Sequence, residues 1–218
     1  MPEVESPPMG LAGVKQSVVK SMRKSWLRSN HRVRLTRDLA PHIRRLKGVV
    51  LDVGGGREAP LDAAWPPDAI RFRVDPFPHV RPQLVGDAVA LPVRSSVADG
   101  VVMCELLEHV RRPAMALAEA RRVLRAGGVL YGSVPFLFPV HGDPYDFWRY
   151  TDPALRTLLG DAGFRDIEVR PHGNRQTAAW TLVCGGSRTA RLFNPVVRRC
   201  FRHDNPSAPE GYVFTAVA

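Results

Sequence analysis

A mostly parallel sheet covered by helices, with a helical N-terminal extension, is the fold predicted for this 218-residue chain. Three observations predict it. From residue 49 onward, short apolar strand-like runs alternate with helix-like segments, as in α/β proteins. The first four strand-like runs each end in an acidic residue or a glycine turn, the pattern of an open sheet with a ligand edge. Composition is that of a folded globular chain: 44% hydrophobic and 24% charged residues exclude wholesale disorder.

The strands follow in order. Val49–Val53 is an apolar run closed by Gly54, Gly55 and Gly56; Ile70–Val74 ends at Asp75; Gln83–Val85 ends at Gly86 and Asp87; Gly100–Cys104 ends at Glu105. A helix is expected from Pro113 to Leu124, since proline suits a first turn and Gly127–Gly128 marks a stop. Val129–Val134 is a fifth strand. A second helix is expected over Asp152–Ala162, with Asp152 as cap and Pro153 in the first turn. Phe164–Val169 and Tyr212–Val217 complete seven strands, and residues 174–204 read as helical with irregular stretches.

The formal net charge of +10 is unevenly placed: residues 1–50 hold eleven Lys and Arg against three acids and so carry +8 of it. The expected organisation is a flexible terminus over 1–10, a basic helical extension over 11–47, and the α/β domain over 48–218. In the extension, Val14, Val18, Met22 and Trp26 recur every four residues, followed by Val33, Leu35, Leu39, Ile43 and Leu46, with Pro41 expected to start or kink a helix. Such a basic amphipathic segment suits nucleic acid, an anionic membrane surface or an acidic substrate, or packs on the domain with its arginines solvated. No apolar run reaches the ~18 residues of a transmembrane helix. The proline- and acid-bearing N-terminus lacks a secretory pattern. Three cysteines without metal-type spacing fit free thiols, so a cytoplasmic location is expected.

Gly54 and Gly56 allow close backbone approach of a ligand, and Asp75 stands about twenty residues on, where a carboxylate accepts ribose hydroxyls. Together, Val50–Gly56, Val74-Asp75, Gly86-Asp87-Ala88 with Leu91-Pro92, Glu105–Val110 and Arg122–Gly128 resemble the ordered motifs of class I S-adenosylmethionine-dependent methyltransferases. The resemblance covers about residues 45–170. It implies a three-layer, Rossmann-like, seven-stranded sheet, with Asp52, Gly54 and Gly56 around the methionine part of S-adenosylmethionine. It further implies Asp75 on the ribose, and Asp87 with Ala88 at the adenine edge. Glu58 stands where the family's third loop glycine is usual. The acids Asp52 and Glu58 disfavour a pyrophosphate beside the loop.

Glu105, Glu108 and His109 form the most chemically loaded cluster. On a helical turn, spacings of three and four would put them on one face, where two carboxylates and an imidazole favour a cation, Mg²⁺ or Mn²⁺. His141 would complete the set from the loop after the fifth strand. The pattern resembles that of ubiquinone-pathway catechol O-methyltransferases and of small-RNA 3′-end ribose methyltransferases, which implies Glu105, Glu108, His109 and His141 as metal ligands. A metal-free reading, in which the glutamate caps a helix and the histidine packs, stands beside it.

The loop from Pro135 to Thr151 is long and aromatic for a connector. His141 suits a general base or a metal ligand, with Asp143 and Asp146 as secondary bases. Arg149 is expected to clamp Asp146, and Phe147 and Tyr150 to seal the core edge. The loop resembles that of bacterial methyltransferases of polysaccharide and glycoside modification. The leading expectation is an O-methyltransferase for a glycoside, polysaccharide or other small polyhydroxylated acceptor, with a divalent metal assisting. RNA ribose 2′-O-methylation and a non-catalytic binding role are the alternatives, nucleic acid being the less favoured partner. A peripheral membrane contact through the basic helix and an oligomeric state are left open.

Overall fold

The computed structural model describes residues 30–56, 61–142, 145–184, 188–204 and 207–218. Residues 11–29 of the basic extension, Glu58 and Asp143 lie outside them. Helix α1 (Asn30–Ile43) leads into β1 (Gly48–Val53), β2 (Ala69–Asp75), the short β3 (Leu84–Val85) and β4 (Ala98–Cys104). Helix α2 (Pro113–Val123), β5 (Leu124–Pro135), α3 (Asp152–Asp161) and β6 (Arg165–His172) follow. Helices α4 (Arg175–Cys184) and α5 (Arg188–Cys200) then lead to β7 (Gly211–Val217).

The strands form one seven-stranded sheet in the order β3-β2-β1-β4-β5-β7-β6. The first five are parallel, and β7 runs antiparallel to both neighbours. The predicted α/β fold with seven strands is therefore present. The reversal at β7 pairs its start, Gly211, with Pro135 at the end of β5 and with His172 at the end of β6. The carboxyl ends of β1–β6 and the entry to β7 consequently share one edge.

Strand alternation sends side chains to two cores. Leu51, Val53, Val101, Met103 and Phe214 pack with α2 and α3 on one face. Val50, Val102 and Val213 meet Leu35, Leu39 and Ile43 of α1 on the other. Those three recur every four residues along the helix and are almost fully buried, so α1 is an integral layer. The predicted stripe is right at these positions, whereas Val33 faces outward.

Pro41 neither starts nor breaks the helix: it lies in the last turn of α1, where the chain continues only to Ile43 before a turn. A proline so near the end removes a single ladder bond, and Arg44 N–H still reaches Ala40 O at 3.0 Å. The helix cap differs too. Thr151, not Asp152, caps α3, its hydroxyl accepting from Ala154 N–H at 3.4 Å. Helix α2 ends at Val123, and Gly127–Gly128 falls within β5 where the register against β4 shifts. Among the described residues, no helix is long and apolar enough to cross a membrane.

Candidate functional site: the carboxyl edge of the sheet

The glycine loop follows β1 with Gly54 at φ +73° and Gly56 at +58°, conformations that favour glycine. A Cβ on Gly54 would strike Leu106 at 2.7 Å, whereas one on Gly56 would meet nothing within 4 Å among the described residues. A cleft beside the loop is lined by Asp52, Gly54, Gly55, Arg32, Trp65 and Arg71. Burial pushes the Asp52 carboxyl up and Arg71 opposes it, donating from Nε at 2.9 Å. Arg71 also pairs with Asp62 and lies 4.3 Å from the centre of the Trp65 ring. Asp75 ends β2 and accepts the Phe77 N–H at 2.9 Å, which fixes its carboxylate at the strand end. Asp87 accepts from Val89 N–H at 3.1 Å, and Ala88 is buried beside it. The six residues expected around S-adenosylmethionine thus stand in order along this edge of the sheet.

The acid–histidine cluster divides in two. Glu105 ends β4 at φ +50°, a left-handed conformation that costs a non-glycine residue ~1–2 kcal/mol. The following turn, Leu107–His109, is a short 3₁₀ helix, so Glu105 does not share a helical face with the residues after it. Its carboxylate instead meets His31 Nε2 of α1 at 2.9 Å. The expected four-ligand set is therefore not assembled: one ligand atom each of Glu108, His109 and His141 lies within 4.8 Å of the others, and Glu105 is outside the group.

Glu108 is fully buried, and neither carboxylate oxygen has a hydrogen-bond partner among the described residues. Burial, then the Glu105 charge, pushes its pKa well up. His109 donates Nδ1–H to the Tyr145 carbonyl at 2.6 Å, which turns Nε2 toward Glu108 at 3.6 Å. His141 lies with Nδ1 3.2 Å from the Pro139 carbonyl and from Asp146, and burial lowers its pKa, so its neutral form is favoured. Such backbone acceptors fix the tautomer of a ligating histidine.

The loop is held as a frame around this cluster. Arg149 clamps Asp146 through both nitrogens, as expected. Asp146 also accepts the His141 N–H at 2.9 Å. These bonds overcome its burial and lower its pKa, so Asp146 positions the loop and is a poor proton acceptor. Tyr150 seals the core edge, its hydroxyl donating to Leu107 O at 2.9 Å. Phe147 does not: it is 44% exposed, beside Tyr145 at 64% and Trp148 at 43%. Its backbone N–H is tied to Glu108 O at 2.7 Å, which holds the ring outward at the site's rim.

The sequence reading missed His31, His172 and Glu210, which gather beneath α1. For His172 and Glu210 the signal was present: antiparallel pairing of the last two strands puts a residue ending one beside a residue preceding the other. His31 carried no signal, because only tertiary packing brings α1 to the strand ends. Arg34, expected as part of a solvated basic extension, is also turned inward, paired with Asp204 at 3.0 Å.

Residues 51–132 match the methyltransferase domain family. The match covers well under half of the chain; the fold as a whole is that of the class I S-adenosylmethionine-dependent methyltransferases. The fold is shared with such a methyltransferase from Thermotoga maritima (TM-score 0.62, 18% identity, 92% of this chain and 95% of that one). It is shared also with one from Archaeoglobus fulgidus (TM-score 0.56, 19% identity, 86% and 94%). The Haemonchus contortus phosphoethanolamine N-methyltransferase 2, solved with S-adenosylmethionine, matches at TM-score 0.58 and 13% identity, over 84% and 52%. A Streptomyces fradiae transposon protein of 37.1 kDa is 45% identical over 65 residues, or 30% of this chain; the match spans 19% of that curated relative's length.

Proposed function

We propose that this protein transfers a methyl group from S-adenosylmethionine to a hydroxyl of a glycoside or other small polyhydroxylated acceptor, and that Glu108, His109 and His141 hold a divalent cation beside that hydroxyl. The observation that carries the reading is the buried Glu108 carboxylate, without hydrogen-bond partners and facing two imidazoles. An uncompensated carboxylate in that position costs several kcal/mol, and a cation removes the cost. The donor set, one carboxylate and two nitrogens, suits Mn²⁺ or another transition ion better than Mg²⁺.

Asp75 would hold the ribose, Asp87 and Ala88 the adenine edge, and the glycine loop the methionine end. The cation would supply Lewis acidity that lowers the acceptor hydroxyl's pKa. The chain's own contribution is alignment: Glu108, His109 and His141 would hold the metal, and Asp146, clamped by Arg149, holds the His141 backbone. Tyr145, Phe147 and Trp148 offer ring faces on which apolar sugar faces stack. Because the sulfonium is already activated, positioning the oxygen in line with it supplies much of the barrier lowering.

The test is methyl transfer to a panel of small glycosides, with and without Mn²⁺ or Mg²⁺. Metal-stimulated transfer that disappears in Glu108→Ala supports the reading. Transfer indifferent to chelator and to Glu108→Ala removes the metal from it.

A further inference from the structure

We propose a second, wholly buried transition-metal site, of the Zn²⁺ type, in which His31, His172 and Glu210 are ligands and Glu105 orients His31. The inference does not rest on the methyl-transfer reading. One ligand atom of each of the three residues lies within 4.8 Å of the others, and all three residues are fully buried. His31 Nδ1 stands 3.4 Å from Glu210 Oε2. That is long for a charge-assisted hydrogen bond. It matches the edge of a tetrahedron with metal–ligand bonds of about 2.1 Å, roughly 3.4 Å. The rings of His31 and His172 are 4.7 Å apart, and neither His172 nitrogen has a hydrogen-bond partner among the described residues. Two imidazole nitrogens buried in this way carry an unmet cost that coordination to a cation would remove.

The surroundings are those of a histidine ligand. Glu105 accepts from His31 Nε2 at 2.9 Å, leaving Nδ1 to face Glu210 and completing a carboxylate–histidine–metal arrangement. Glycines make the space. A Cβ on Gly211 would lie 2.7 Å from His172 Nε2, and one on Gly173 would lie 2.7 Å from the Glu210 side chain. Charge is balanced as well. Glu105 and Glu210 carry two negative charges, a divalent ion carries two positive, and both histidines remain neutral. Without an ion, burial acts to lower the His31 pKa, yet the two carboxylates raise it to about 9. Burial, then the charge on His31, lowers His172 to about 3. A metal would join α1 to the ends of β6 and β7.

The test is metal analysis of the full chain after dialysis, alongside thermal unfolding with and without a strong chelator. About one equivalent of Zn²⁺ is expected to stay with the wild type and with Glu108→Ala, and to be lost in His172→Leu and Glu210→Gln. Chelator should lower Tm in the first two proteins and leave it unchanged in the last two. Absence of retained Zn²⁺ together with a Tm indifferent to Zn²⁺ and chelator overturns the proposal, as does metal that follows Glu108 and ignores His172. Should the His172 and Glu210 variants not fold, Co²⁺ added to Glu108→Ala decides. Tetrahedral visible bands support the buried site, and their absence overturns it.

Discussion

Glu108 illustrates how a residue can be poor for stability and useful for chemistry. Its carboxylate is buried without hydrogen-bond partners among the described residues. Glu108→Gln mimics the neutral acid that the raised pKa favours when no ion is bound, so in chelator Tm should change little, while metal-stimulated methyl transfer falls. Asp75 behaves differently, because its cost is already met by Phe77 N–H. Asp75→Ala should weaken S-adenosylmethionine binding by at least about tenfold in calorimetry, since two ribose hydroxyls lose a charged acceptor, with a much smaller change in Tm. The individual acids of the ligand edge were legible in the sequence because strand ends and glycine turns fix where they sit. The side of the edge each faces was not. Glu105 and Glu108 are three residues apart, yet a left-handed residue followed by a 3₁₀ turn sends them to different partners.

Among the elements, α1 departs furthest from a reading of hydropathy alone. Its apolar stripe was visible, and so was its positive charge, but the charge turns inward at Arg34 and pairs with Asp204. Leu39 is fully buried between α1 and the sheet, so Leu39→Ala should cost about 2–5 kcal/mol in denaturant unfolding with an unchanged m-value. The cap of α3 is a milder case: Thr151→Ala should cost roughly 1 kcal/mol, because one first-turn N–H loses its acceptor. Helix and strand positions were legible through periodicity. The cap was not, because Thr151 and Asp152 are adjacent and equally suited, and only the backbone's turn into the helix selects between them.

For the whole molecule, the seven-stranded order and the two cores explain why the edge carries so many ionisable groups. Six strands, β1–β6, deliver their carboxyl ends there, and the reversed β7 adds its entry beside them. Without α1, one face of the sheet would expose Val50, Val102 and Val213. A chain beginning at residue 48 should therefore lack a cooperative thermal transition and aggregate at concentrations where the full chain stays monodisperse. A seven-stranded, mostly parallel sheet was implied by the resemblance the motifs carry, whereas its strand order came from the structure. The contribution of residues 30–47 to the core was not, because burial depends on what lies opposite, and that is set by tertiary contacts.

His31 also bears on modularity. The match to the methyltransferase domain family begins at residue 51, but the imidazole that faces Glu105 and Glu210 sits twenty residues earlier. The portion that the family match covers and the portion that is electrically self-sufficient are therefore different lengths of chain. Transplanting residues 51–132 into another protein would carry Glu105 along without its counter-charge, and the host would have to provide one.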